Sequence, residues 1–444
     1  MFRRTFCVLI LAAVLAEGSG LAQENPNPRT SQSEQTVVMP GMNMVDANRA
    51  ATYLLTQSSG TSLQPQAWPM PMVMSRLGTW NLMWMGQAFL AATQQSGPRG
   101  GDKIYGPNWG MLGAVHELGN GSLMFRTMLS LEPATITDRV YPLLFQTGEA
   151  AFGQPIVDGQ HPHDLFMELA GQYAHPLGER SMFNVYYGAI GDPALGPTAF
   201  PHRASAMEFP QAVLAHHWQD STHIASNVLT AAFSFDKVRI EASGFHGFEP
   251  DEHRWNIDFG EMDSWSTRLS VFPSNNWKSQ FSLGRLRRPE QFHGDDVVRV
   301  TASVHHVIPR GNGNSIATSF VWGRNYKTIE HEASHAVLAE SVVPIGERNF
   351  LSGRFEWSQR DELFANDHDL EEQIEDQTGT HTFSVTAFTA GYTRDLLLTE
   401  RAQIGVGANI STYIIDDALK PFYGDHPIGI TVYLRLRVRT RQQF

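Results

Sequence analysis

The side chains best suited to chemistry in this 444-residue chain are thioethers and imidazoles, and both are clustered. Of its 16 methionines, eight lie between residues 39 and 85: Met39, Met42, Met44, Met70, Met72, Met74, Met83 and Met85. Several are one residue apart, as in Met42-Asn43-Met44 and Met70-Pro71-Met72-Val73-Met74. In an extended chain that spacing puts neighbouring sulfurs on one side. Thioether sulfur is a soft donor that selects Cu(I), and by the same logic Ag(I). Methionine is also an adaptable apolar filler, so the pattern fits a docked segment equally well. Nine of the 18 histidines fall between 161 and 253: His161, His163, His175, His202, His216, His217, His223, His246 and His253. Asp158, Asp164, Asp192, Asp220 and Asp251 lie among them. Neutral imidazole suits Cu(II), zinc and nickel, with carboxylates as ligands or as the groups that orient the rings. The expected metal set is the eight methionines with His161, His163, Asp164, His202, His216, His217, Asp220, His223 and His253. The alternative is a polar network that knits loops together.

Other motifs carry less. His331-Glu332-Ala333-Ser334-His335 fits the H-E-x-x-H pattern of zinc peptidases, which needs a helix so that both imidazoles share a face. Here Ile329, His331, Ala333, His335, Val337 and Ala339 alternate with Glu330, Glu332, Ser334, Ala336 and Leu338, which predicts a strand with Glu332 facing away from the histidines. Ser205 and Ser221 have His and Asp nearby in sequence but lie in no nucleophile elbow. No Gly-rich phosphate loop is present. The acidic run from Asp361 and Glu362 through Asp367, Asp369, Glu371, Glu372, Glu375 and Asp376 reads as a solvated face near lipid headgroups. A catalytic residue is not expected.

The elements that must position these groups are strands. Runs of about ten residues alternate with period two, as transmembrane strands do. The last is the clearest: Ile428, Ile430, Val432, Leu434, Leu436 and Val438 on one face, with Thr431, Tyr433, Arg435, Arg437 and Arg439 on the other. Residues two apart point to nearly opposite sides of a helix, so no helix explains it. The pattern recurs at Val238–Ala242, Val298–Val304, Ala402–Ile410 and Trp80–Leu90, where Met83, Met85 and Gln87 share the polar side. Seven tight Gly/Asn/Asp/Pro-rich links, near 118–121, 177–180, 235–237, 273–276, 310–313, 344–347 and 394–400, alternate with eight longer polar loops. That arithmetic predicts an all-β, antiparallel up-and-down transmembrane β-barrel of about 16 strands, between about 14 and 18. Polar faces, with Arg126, Glu168, Arg239, Glu241, Arg268, Arg299, Arg354, Glu356, Arg435 and Arg437, should line the lumen, an Arg-leaning interior that would favour anions if open. A soluble β-sandwich is the competing fold.

Arg3 and Arg4, the apolar stretch Phe6–Ala16 and Gly20-Leu21-Ala22 read as a signal peptide cleaved before Gln23. Cys7, the one cysteine, lies inside it. The expected organisation is a signal peptide at 1–22, a Met-rich periplasmic segment at 23–77 and a barrel at 78–444, with short turns in the periplasm and long loops outside the cell. With Lys+Arg 33 against Asp+Glu 45, a net charge of -12 argues against a nucleic-acid partner. Charged residues are 18% and aromatics 11%, which excludes a disordered chain.

Long stretches also resemble an uncharacterised family of bacterial outer-membrane proteins: Ser96–Lys103, Met128–Pro133, Tyr141–Glu149, Gln160–Asp164, Phe200–Arg203, His216–Ile224 and Glu249–Trp255. Members of that family tend to occur with copper and heavy-metal resistance genes, and many have Met-rich N-termini. The resemblance implies a metal-stress context in the Gram-negative outer membrane. Outer-membrane barrels resemble this chain also in ending on an aromatic residue, here Phe444, which the barrel assembly machinery reads. The reading is a non-enzymatic barrel that handles or exports copper-like ions, Cu(I) or Cu(II), with outer-membrane lipid, lipopolysaccharide and periplasmic metal-handling proteins as partners. A general porin for small polar or anionic solutes, or an outer-membrane lipid hydrolase, are the alternatives.

Overall fold

The computed structural model describes residues 48–220, 225–292 and 294–439, all within one compact unit, Met39–Phe444. Met39, Met42, Met44, His223, the leader and Phe444 lie outside the described residues.

Sixteen strands form the wall. They are β1 Trp80–Gln95, β2 Asn108–Leu118, β3 Gly121–Leu129, β4 Phe166–Pro176, β5 Ser181–Ile190, β6 Ser226–Phe235, β7 Val238–His246 and β8 Ser264–Ser274. They continue as β9 Trp277–Leu286, β10 Val297–Gly311, β11 Asn314–Lys327, β12 Ala333–Ile345, β13 Asn349–Arg360, β14 Phe383–Leu398, β15 Ala402–Ile415 and β16 Ile428–Val438. Each pairs antiparallel with its neighbours in sequence, and β1 closes on β16 from Gln87↔Arg437 to Gln95↔Gly429. Closure leaves no wall strand with an unpaired edge, and it overturns the sandwich alternative. Two short strands, Val73–Leu77 and Asp102–Tyr105, pair onto opposite ends of β1. All seven predicted tight links join consecutive strands at one end, and the eight long loops occupy the other. The strand predicted across 329–339 begins only at Ala333, because Thr328–Glu330 form a turn and His331 takes a left-handed φ of 60°.

Side chains follow the alternation. Ile240, Leu269, Phe281, Phe320, Ile410, Val432, Leu434 and Leu436 are exposed on the outer surface, and Trp265 and Trp277 are exposed near opposite ends of the wall. A continuous apolar exterior with aromatics toward its margins is a lipid-facing surface. The predicted inward residues Arg126, Glu168, Arg239, Glu241, Arg268, Arg299, Arg354, Glu356, Arg435 and Arg437 are all buried.

The lumen is filled from both ends. At the tight-turn end, helix α1 (Arg49–Leu55) begins at Asn48, whose Oδ1 accepts from Ala51 N at 2.8 Å. Asn48 Nδ2 donates to Gly121 O (3.1 Å) and an Arg49 guanidinium nitrogen to Gly178 O (2.7 Å), fixing the helix to two tight turns. The chain then runs into the lumen. Gly60 N donates to Glu168 (3.2 Å), which also holds Arg126 at 2.7 Å, and Thr61 Oγ1 donates to Glu241 (2.6 Å). It returns past Lys278, which donates to Leu63 O at 2.6 Å, to the 273–276 turn, where Ala67 N bonds Asn275 O at 2.8 Å. Residues 48–72, expected as part of a separate periplasmic segment, are thus an internal plug. Their buried polar backbone and Ser/Thr side chains find partners among the inward-facing charges, which water would otherwise solvate.

From the long-loop end, residues 191–220 fold inward. Arg203 meets Glu340 at 2.6 Å, Glu208 meets Arg437 at 3.0 Å and also pairs with Arg435, and the short helix His216–Gln219 packs on β11. There Gly323 permits the contact, since a Cβ would lie 2.2 Å from Trp218 O. Six of the seven predicted lumen arginines pair with Glu168, Glu241, Glu340, Glu208 or Asp395, and Arg299 donates instead to Asn325 and to Asp220 O, so the expected anion-favouring interior is largely a set of closed ion pairs.

Candidate metal centre

The long loops bring three of the predicted histidines together. One ligand atom each from His161, His216 and His217 lies within 4.8 Å of the others, and all three residues are buried. Ligand atoms of Glu149, His217 and Glu249 are equally close to one another, so a second set shares His217. Four loop stretches supply the groups. Glu149 comes from a hairpin of Tyr141–Ala151 with Gln154–Gln160, His161 follows that hairpin, the histidine pair opens the helix at 216, and Glu249 lies just past β7. The ring centroids of His216 and His217 are 4.1 Å apart, and each is 5.8 Å from that of His161.

The other ring nitrogens are already spoken for. Nδ1–H of His161 donates to Pro162 O (3.1 Å), that of His216 to Val213 O (3.0 Å), and that of His217 to Glu249 Oε1 (3.0 Å). With Nδ1 holding the proton, Nε2 carries the lone pair, which is the tautomer a metal needs. His161 Nε2 lies 3.1 Å from Glu149 Oε1. Gly148 makes room for the third ring: its φ is +108°, and a Cβ there would meet His217 Cε1 at 2.9 Å.

Burial sets the protonation states. It pushes His161 and His216 well below the usual imidazole range and His217 down to about 3, with Arg299 and Arg360 adding to the effect on His217. Burial also raises the Glu149 carboxyl well above its ordinary range, against the pull of Arg254, and lifts Glu249 to about 8, with Glu362 adding repulsion. The cluster is three neutral imidazoles beside two carboxyls reluctant to ionise, an arrangement a bound cation would stabilise.

The remaining predicted residues divide. His163 Nδ1 is 2.9 Å from Glu132; burial pulls the imidazole down most strongly, but the charge and hydrogen bond of Glu132, joined by Glu149 and Asp164, together raise it, so it serves an ion pair beside the cluster. Asp164 lies 3.6 Å from Arg254 at the edge, with burial raising it to about 6. Asp220 faces Arg203 at 3.8 Å and His253 is exposed beside Asp251, and neither is among the converging ligand groups. The H-E-x-x-H reading fails on geometry: Glu332 bonds His381 at 3.0 Å, and His331 bonds Tyr326. Ser205 Oγ lies 2.7 Å from Ser319 Oγ and 2.9 Å from Glu340, in an ion-pair network and without an imidazole as base.

His202 and the methionines form a different group. Met72, Met83 and Met85 are buried around α1, with Met70 and Met74 partly so. Met111, Met124, Met128, Met167 and Met182, which sequence reasoning passed over, join them. His202 Nε2 is 2.8 Å from Met128 Sδ, and burial takes this imidazole down to about 3. Strand parity could have found Met111, Met124 and Met128, since each has a polar or charged partner on the same face. Glu149 and Glu249 carried no comparable signal, because loops have no period.

No protein-family profile matches the sequence, and no curated protein matches it. Among solved structures the chain is similar to an anion-selective porin from Comamonas acidovorans (10% identity, 81% of this chain and 99% of that one, TM-score 0.48). It is also similar to OmpF of Salmonella typhi in complex with daunomycin (9%, 82% and 100%, TM-score 0.48) and to the outer membrane channel DcaP of Acinetobacter baumannii (8%, 81% and 99%, TM-score 0.46). At such identities and scores these neighbours bear on no function, and the barrel assignment stands on the strand pairings themselves.

Proposed function

We propose that this chain is an outer-membrane barrel that binds and handles a borderline divalent ion of the copper, zinc or nickel type, without catalytic turnover. The observation that carries the reading is the convergence of His161, His216 and His217, with their Nδ1 atoms engaged, beneath the long loops. Imidazole is the donor these ions favour, and engaged Nδ1 atoms fix ring orientation before binding. The apolar exterior supports a place in a bilayer, and the long loops would then face outward as in other barrels of this layout. Copper fits the donors, and so do zinc and nickel. A general porin is disfavoured because side chains and plug fill the lumen.

Titration of the purified protein in detergent with Cu(II) and Zn(II), against a His216→Ala/His217→Ala variant, tests the proposal. Binding should weaken at least ten-fold in the variant. Equal binding by both proteins would overturn the assignment, and a large steady conductance of the intact protein in planar bilayers would restore the porin reading.

A further inference from the structure

Methionine is unevenly placed inside the barrel. Among the described residues, one apolar cluster, the one around α1, contains methionine, while the four other apolar clusters are built from Phe, Tyr, Trp, Leu, Ile, Val and Ala. A packing filler has no reason to concentrate in one cluster of five. The register sharpens this. Met85 pairs with Met111, and Met111 with Met128, so three inward thioethers stand side by side across β1, β2 and β3. Cross-strand neighbours of this kind have Cβ atoms about 5 Å apart, near enough for two sulfurs to share one ion. The row ends on His202, whose Nε2 faces Met128 Sδ and whose buried Nδ1 has no hydrogen-bond partner. The His202 ring packs on Trp109 at 4.1 Å.

From these contacts we infer that Met85, Met111, Met128 and His202 form a second metal site, of soft donors, which takes a monovalent ion such as Cu(I) or Ag(I). Thioethers with one imidazole select such ions over hard cations. With metal–nitrogen and metal–sulfur bonds of about 2.0 and 2.3 Å, the N···S separation of 2.8 Å must widen by about 0.7 Å for a tetrahedral ion and by about 1.5 Å for a linear one. The two centres border a common space, reached on one side by His161 and on the other by Trp109, whose ring packs on His202. A cavity of about 40 Å³, lined by His161, His163, Glu132, Phe200 and Trp109, lies between the imidazole cluster and the Trp109–His202 pair. It has room for a few waters. Along the lumen the donors pass from imidazole and carboxylate under the loops to thioether beside α1. The second site stands on its own contacts, and its role as a later station for the ion rests on the proposed metal-handling function.

Ag(I) titration of the full-length protein, with sulfur coordination read by X-ray absorption at the silver edge, tests the inference. Cys7, the one cysteine of the sequence, lies in the leader expected to be removed before Gln23, and a Cys7→Ser background ensures that every sulfur is a thioether in any uncleaved chain as well. The parent should bind Ag(I) with sulfur neighbours. Met111→Leu/Met128→Leu, a volume-conserving change, should lose that signature and at least ten-fold in Ag(I) affinity while keeping Zn(II) binding at the imidazole cluster. The His216→Ala/His217→Ala variant should keep the silver–sulfur signature. Silver bound without sulfur, or unchanged binding in the methionine variant, would overturn the second site and leave the first standing. Loss of Zn(II) binding by the parent with silver–sulfur coordination intact would do the reverse.

Discussion

Asp192 gives the plug a pH dependence whose size can be worked out. Its Oδ2 accepts from Ser59 Oγ of the plug at 2.6 Å, and Gly60 packs on the same residue. Burial raises this carboxyl from 3.8 to about 7, with Glu168 and Asp220 adding repulsion against the Ser59 bond and Arg126. A carboxyl raised in the folded state contributes stability that is fully present below its unfolded value and is lost as pH rises through the folded one. The full difference, about 3 pKa units, corresponds to at most about 4 kcal/mol. About 1.7 kcal/mol of that is already lost at pH 5, and nearly all by pH 8.5. Asp192→Asn keeps an acceptor for Ser59 and removes the titration. Amide hydrogen exchange of residues 57–64, compared between the two proteins at the same pH, isolates the effect. The ratio of parent to variant exchange should grow by up to about 100-fold between pH 5 and 8.5, the equivalent of the remaining 2.7 or so kcal/mol. A ratio that stays constant over this range would refute the reasoning, since it would mean that Asp192 is ionised in the plugged state throughout.

Further outcomes follow from single contacts. Gly148→Ala puts a Cβ against the His217 ring at a positive φ, so Zn(II) affinity should fall at least ten-fold while the barrel keeps its β-rich circular dichroism. Glu249→Ala removes the acceptor that orients His217 and should cost about 10- to 100-fold in metal affinity, read by equilibrium dialysis. Glu168→Gln breaks a buried pair with Arg126 and one hold on Gly60, and should destabilise the protein by about 3–5 kcal/mol in urea unfolding. Glu332→Ala, in the motif that looks most like a zinc peptidase, should leave metal binding unchanged, because its carboxylate bonds His381 and faces no candidate ligand.

The wall of this protein is written in its sequence. Alternation at Ile428–Val438 and four other clear runs, tight turns such as 310–313 and the uneven lengths of successive links were enough to count sixteen strands and assign the faces of β1, β7, β10, β15 and β16. The physical reason is local: a strand's side chains must alternate, so composition at period two reports which side meets lipid. Donor types were equally legible, since a thioether or imidazole keeps its preferences wherever it lies. What only the tertiary structure decided is which donors meet. His161 and His216 are 55 residues apart, and His253, closer in sequence to His217 than His161 is, ends at the surface. Loops carry no period that fixes direction, so their convergence depends on closure of the wall around them. The plug was hidden for a related reason: Gln57–Gln64 is polar and reads as solvated, yet it is buried because the wall presents charges that its backbone and hydroxyls can satisfy.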